Sequence, residues 1–283
     1  MKTDRPNMKT LEGLSSFVLS VSLGATWRDK MTILTFVILP KIVLFPFYFL
    51  NINLWFFLMK FLYKLTPQIN LDTDFGKFEC RKNSLDFSHL NLFYEKSLTP
   101  FFNITDGVFI DIGSHVGRYA VMVGRNIKKG KVVAVEPEPS NFKALERNIQ
   151  LNKLGKKVIP LNVAVSDKNG RLKLYLEDLY GGGGHSTIKG WEKSENCVDV
   201  ESMTLDNIVK LCRLKTSDIK LLKIDVEGAE FNVLKGASEV LKQHPKIVFE
   251  SADKRSLAKC MKMLYSFGYK INQIDEVNFF AHR

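Results

Sequence analysis

The segment Phe109–Tyr119, FIDIGSHVGRY, holds the residues whose types and spacing are best suited to chemistry. Asp111, Gly113 and Gly117 give it the form D-x-G-x-x-x-G, with Ser114 inside the turn. Glycines at a strand-to-helix turn let the backbone approach a ligand closely, and the helix start offers unpaired amides. The acid discriminates between ligands. A dinucleotide pyrophosphate would be repelled by a carboxylate placed like Asp111, whereas a cationic ligand would be attracted. S-adenosylmethionine carries both an ammonium and a sulfonium. Glu136, closing the apolar run KVVAVE, is placed to accept hydrogen bonds from ribose hydroxyls. Ser166 and Asp167 follow a third such run and could meet an adenine edge, although SDKNG is also turn-rich in its own right.

The elements that must position these groups are read from periodicity. Gly107–Ile112, Lys131–Glu136, Lys157–Ala164, Ile219–Asp225 and Lys246–Glu250 are predicted strands. Val116–Ile127, Pro139–Asn152, Ala229–Gln243 and Lys254–Ser266 are predicted helices, and Tyr269–Ile274 with Val277–His282 forms a closing hairpin. Strands alternating with helices imply an α/β fold with a parallel sheet covered on both faces. Between the third and fourth strands lies an insertion. Arg171–Leu176 and Cys197–Ser202 flank a glycine-rich loop, Gly181–Gly184, and Thr204–Cys212 follows as a short helix.

Ahead of this domain the character changes at about residue 70. Met31–Tyr63 has 25 apolar or aromatic residues in 33, interrupted by Pro40, Lys41, Pro46, Asn51 and Asn53. A spanning segment, an interfacial anchor and a helix pair packed on the domain are the three readings of 31–63. Residues 1–70 carry eight lysines and arginines against three acids, so +5 of the net +11 sits there. The charge would suit an anionic partner. Nucleic acid is the less favoured one, since neither an N/D-P-P-Y/F signature nor a Pro-Cys pair is present. Cys80, Cys197, Cys212 and Cys260 show neither CxxC nor metal-ligand spacing and read as reduced packing residues of a cytoplasmic domain, which 31–63 would associate with a membrane.

FIDIGSHVG, VVAVEPEPSNFKALERNIQLN, NVAVSDKNG, SMTLDNI and LLKIDVEGAEFNVLKGA together resemble the FkbM-type methyltransferases, from about residue 80 to the end. The resemblance implies a Rossmann-like class I methyltransferase fold, a mixed seven-stranded sheet with an antiparallel last strand. It implies S-adenosyl-L-methionine as donor and methyl transfer to oxygen of a sugar, polyketide or other small acceptor. Asp111, Gly113 and Gly117 would then form the donor turn, Glu136 the ribose site and Asp167 the adenine side. His115 departs from the small or polar residue found at its place in many such turns, and the first 70 residues have no counterpart in the family core.

For the acceptor, alignment supplies much of the rate and a base must take the hydroxyl proton. Asp225 and Glu227 stand at the end of the fourth strand, as base or as metal ligands, and which metal, if any, stays open. Alternatively Gly228 marks a tight turn and Glu227 or Glu230 caps the next helix. His185, after four glycines, is another candidate base on a loop able to gate the site. Glu250 ends the fifth strand on the same edge, and Trp191 could stack on a sugar or simply pack. An O-methyltransferase of a glycan, lipid-linked saccharide or similar small molecule is the leading reading. A nucleic-acid methyltransferase and an inactive membrane-tethered binding module are the alternatives.

Overall fold

The computed structural model describes residues 20–40, 43–44, 54, 58, 61, 65–90, 94–176, 184–189 and 195–283. The chain divides into two compact units, Met1–Tyr94 and Glu95–Arg283. The boundary expected near residue 70 falls inside the first unit.

In that unit, helix α1 (Trp27–Thr32) begins with a capping box. The Thr26 hydroxyl accepts the Asp29 amide and the Asp29 carboxylate accepts the Thr26 amide, each at 3.1 Å, which satisfies helix-start donors that have no intrahelical partner. The other Asp29 oxygen accepts the Asn70 amide at 2.9 Å, tying the helix to strand β1 (Ile69–Thr73). Strand β2 (Gly76–Cys80) pairs antiparallel with β1, with Ile69 opposite Cys80, and helix α2 (Asp86–Leu90) follows. The chain continues from α1 through a π-helical stretch, Ile33–Ile38. Ile33, Val37 and Ile38 are buried, whereas Trp27 (77% exposed), Met31, Leu34, Leu39 and Val43 face outward. Trp27, Met31 and Leu34 follow helical spacing and share one face. Among the described residues no helix is long and apolar enough to cross a membrane. Much of the 31–63 stretch lies outside the described residues.

The second unit contains β3 (Asp106–Ile112), β4 (Lys129–Val135), β5 (Val158–Leu161), β6 (Ala164–Val165), β7 (Gly170–Tyr175), β8 (Cys197–Met203), β9 (Ile219–Ile224), β10 (Lys246–Glu250), β11 (Lys270–Gln273) and β12 (Asn278–His282). Seven of these form one sheet in the order β11-β12-β10-β9-β3-β4-β5. β3, β4, β5, β9 and β10 run parallel, and β12, the last, is antiparallel to both β10 and β11. This is the mixed seven-stranded sheet that the motifs imply. Its inner strands are apolar on both faces, as strands covered by helices must be: Val108–Ile112 and Val132–Val135 are all buried. Ile110, Ile112, Val133, Leu222, Ile224, Ile247 and Phe249 join one core. The strand order departs in opposite directions from β3, towards β4 and towards β9. That makes the carboxyl end of β3 the switch point where such sheets bind ligands.

Two boundaries differ from the sequence reading. The third strand ends at Leu161, and Ala164–Val165 pairs instead with β8 in a separate three-stranded sheet, β6-β8-β7. The single helix expected over Ala229–Gln243 is two, α6 (Glu230–Lys235) and α7 (Ser238–Leu241). The reason lies at Asp206 in α5 (Leu205–Leu211), whose carboxylate accepts the amides of Glu239 at 3.0 Å and Val240 at 3.1 Å. Asp206 thus caps a new helix start. Gly236, at the break, is packed so closely on the Ser166 carbonyl that a Cβ would collide with it. Helices α3 (Arg118–Asn126) and α4 (Pro139–Leu151) follow β3 and β4, and α8 (Lys254–Ser266) follows β10.

Candidate active site

After β3 the chain turns through three residues of positive φ, Gly113 (82°), His115 (50°) and Gly117 (93°). The amides of Gly113 and Ser114 both donate to the Val135 carbonyl at 3.0 Å, and the Ser114 hydroxyl donates to the Asp111 carbonyl at 2.8 Å. Ser114 therefore shapes the turn. A Cβ on Gly113 would run into the carbonyl oxygen of Asp225, and one on Gly117 would come within 2.7 Å of Leu145 Cδ1. The glycines bring the turn close to β9 and α4. Gly117 is the N-cap of α3 and offers no side-chain cap.

Asp111 is 1% exposed, and neither carboxylate oxygen has a hydrogen-bond partner among the described residues. Burial pushes the carboxyl up to about 6, against the opposing pull of the Lys223 ammonium. A buried carboxylate without a partner is costly. A ligand ammonium would complete it, so the site fits the amino-acid end of S-adenosylmethionine. Glu136, just past β4, is also buried, and its carboxyl is raised to about 7 by that burial. Its oxygens accept the His115 amide at 2.8 Å and the Glu138 amide at 3.0 Å. The left-handed backbone at His115 thus fixes Glu136, and its carboxylate retains lone pairs for ribose hydroxyls.

Ser166 is buried, with its amide on the Met203 carbonyl at 3.0 Å. Asp167 pairs with Lys235 of α6, which holds its carboxyl below the ordinary range. The Lys235 pair gives Asp167 a partner on α6 that the sequence reading did not foresee.

On the other side of Asp111, β9 ends and the Asp225 amide donates to the Ile112 carbonyl at 3.0 Å. Lys223, 4% exposed, stands opposite Asp111 in the strand register, and its ammonium donates to Asp225 Oδ2 at 2.9 Å. The same ammonium lies 5.0 Å from the centre of the Tyr119 ring, and the Tyr119 hydroxyl donates to Glu95 Oε2 at 2.6 Å. Neighbouring acids, Asp225 first, hold Lys223 firmly protonated despite burial. Glu95, Asp225 and Glu250 each bring a carboxylate oxygen within 4.8 Å of the others. Glu227 is not in that trio.

Glu227 (φ 50°) and Gly228 (φ 95°) make a left-handed turn after Asp225. Glu230 caps it, as its Oε1 accepts the Gly228 amide at 2.8 Å, and burial raises its carboxyl to about 7. The Glu227 carbonyl accepts the hydroxyl of fully buried Ser186 at 2.6 Å. Ser186 also pairs with Tyr175, bonding through both its amide and its carbonyl. The segment after the glycine-rich loop is thereby fastened beside the Glu227–Gly228 turn, with half-buried His185 next to the anchor. Gly181–Gly183 and Trp191 lie outside the described residues.

Sequence reading missed Glu95, Tyr119 and Lys223. Lys223 left a signal: a lysine within the buried run IKLLKID, two residues before an acid and so on the same strand face, needs a buried partner. Glu95 left none, since no motif surrounds it.

A doubly wound sheet with its last strand antiparallel, and an acid-bearing glycine turn at the switch point, defines a Rossmann-like S-adenosylmethionine-dependent methyltransferase. Within that class the methyltransferase FkbM domain is matched over residues 111–271, more than half of the chain, and the chain belongs to that family. Methyltransferase 1 of Beauveria bassiana is 27% identical over 233 residues, 73% of this chain and 90% of that protein. The hexuronic acid methyltransferase AglP of Haloferax volcanii is 27% identical over 145 residues, 51% of this chain and 56% of its own length. Among solved structures, an S-adenosylmethionine-dependent O-methyltransferase of Thermotoga maritima matches with a TM-score of 0.44 at 13% identity, covering 77% of this chain and 86% of that one.

Proposed function

We propose that this methyltransferase moves the methyl group of S-adenosylmethionine to a hydroxyl oxygen of a glycan, lipid-linked saccharide or similar small molecule. The observation that carries the reading is the buried Asp111 carboxylate, whose oxygens have no hydrogen-bond partner among the described residues, on the strand next to the Lys223–Asp225 pair. The donor supplies an electrophilic methyl on a cationic sulfur. Asp111 would hold its ammonium, Glu136 its ribose, and the Ser166–Asp167 turn its adenine edge. Asp225 would receive the acceptor hydroxyl and accept its proton as the oxygen attacks, with Glu227 and His185 bordering the same side. An acceptor side built from Glu95, Asp225 and Glu250 favours neutral hydroxyls over anionic groups beside the reacting oxygen. The name of the Haloferax relative supports a sugar-type acceptor.

The test is a mass-spectrometric screen of neutral glycosides, uronic acids and polyprenyl-linked sugars with purified enzyme and donor. A gain of one methylene mass on a saccharide hydroxyl supports the reading. Methylation confined to nitrogen, carbon or nucleic acid refutes it.

Membrane association of the first unit, with the catalytic unit on the cytoplasmic side, is a second reading. It is favoured by the outward apolar row Trp27, Met31 and Leu34 with Arg28 and Lys30 beside it, a pairing suited to an anionic lipid surface. Flotation with phosphatidylserine vesicles, lost on Trp27→Glu with Leu34→Glu, is expected. Equal flotation of the double variant would contradict it.

A further inference from the structure

We propose that Lys223 is the internal counter-ion that keeps Asp111 ionised at neutral pH and so makes the donor turn able to hold a cation. The proposal rests on the donor reading given above.

The geometry begins with the strand register. Lys223 and Asp111 are Cα partners on the parallel neighbours β9 and β3, so their side chains leave the sheet on the same face. Both are almost wholly buried. Lysine and aspartate are rarely buried to this degree without an opposite charge. The Lys223 ammonium is fixed by Asp225 at 2.9 Å and by the face of the Tyr119 ring at 5.0 Å. It therefore stays beside the β3 carboxyl end, where a flexible surface lysine would not.

The charges around the pair come from every packed element. Asp225 follows β9, Glu95 precedes β3 and bonds Tyr119, and Glu250 ends β10. Arg118, in the first turn of α3, places its guanidinium 5.7 Å from the centre of the Tyr119 ring. Acids outnumber cations in this group. Without Lys223, Asp111 would be desolvated among carboxylates, and both effects favour its neutral form. Neutral Asp111 would lose its attraction for an ammonium. The present balance already leaves it titrating at about 6, within reach of neutral pH. Lys223 is thus a positioning residue that acts through Asp111, while its bond to Asp225 ties the donor acid and the acceptor acid to one cation.

The test is calorimetric binding of S-adenosylmethionine between pH 5 and 8.5, which needs no acceptor. Wild-type affinity is expected to fall modestly below about 7, where Glu136 protonates, and by a further roughly tenfold per pH unit below about 6, where Asp111 protonates. In Lys223→Met the Asp111 break moves up by about two pH units. Affinity at pH 7 then falls about tenfold and recovers towards the wild-type value by pH 8.5. Lys223→Arg keeps the charge and follows the wild-type profile. Should Lys223→Met fail to fold, Lys223→Gln removes the charge while keeping a donor for Asp225, and the same profile is expected of it. A profile with an unmoved break, or a loss equal at all pH values, overturns the proposal and leaves the donor reading intact. A wild-type chain that binds no donor at any pH overturns both.

Discussion

The carbonyl oxygen of Asp225 occupies the space in which a side chain at Gly113 would begin. The turn after β3 and the end of β9 are in backbone contact there, and Gly113 at φ 82° is the residue that permits it. Gly113→Ala combines a collision with backbone and a left-handed conformation, and strained backbone of that kind costs on the order of 1–3 kcal/mol. A lowered urea midpoint is expected together with weakened donor binding. Unchanged stability with unchanged binding would show that β3 and β9 are not held at this distance.

The buried acids predict a pH dependence of stability. Asp111 titrates at about 6, Glu136 and Glu230 at about 7, all above their values in an unfolded chain. A raised carboxyl favours the folded protein when protonated. Its contribution is fully present below the unfolded value and is lost as pH rises through the folded one. Without donor, the chain is expected to lose stability from about pH 4.5 to about pH 7 on account of these groups. Asp111→Asn removes one of them. It is expected to raise the unfolding free energy at pH 7.5 by on the order of 1–3 kcal/mol, seen as a higher thermal midpoint, while impairing donor binding. Melting curves at pH 5 and 7.5 check this, and a destabilised Asp111→Asn at pH 7.5 would contradict it.

Ser186 fastens the inserted segment to the Glu227 carbonyl. In Ser186→Ala the part-buried Glu227 carbonyl loses this donor, at about 1 kcal/mol. Because the anchor is on the acceptor side, KM for the methyl acceptor found by the screen is expected to rise several-fold with donor affinity unchanged. Steady-state kinetics paired with donor calorimetry separate the two, and an equal loss on both sides would place Ser186 in a general structural role.

Local pattern carried most of the fold. Val132–Val135 and Ile247–Phe249 are buried apolar runs laid against other buried strands, so strand identity and buried faces follow from the residues themselves. Asp111, Gly113 and Glu136 share the carboxyl edge of β3 and β4 and were legible by spacing. Features set by distant residues were not. The break after Lys235 depends on Asp206, about 30 positions earlier, and Asp167 finds its partner in Lys235, 68 positions further on. Glu95 reaches the site through Tyr119, a side-chain contact that no periodicity encodes. The glycines were expected to admit a ligand. Gly113 is also required by the backbone of Asp225, a packing constraint visible only once β3 and β9 are neighbours.

The central claim is that the β3 turn holds the methyl donor through Asp111 and Glu136. Titration calorimetry of S-adenosylmethionine into the wild type, Asp111→Ala and Glu136→Ala at pH 7.5 tests it most directly. Saturable one-to-one binding to the wild type, weakened at least about tenfold in each variant, is the predicted result. Equal affinity in all three folded proteins would contradict it.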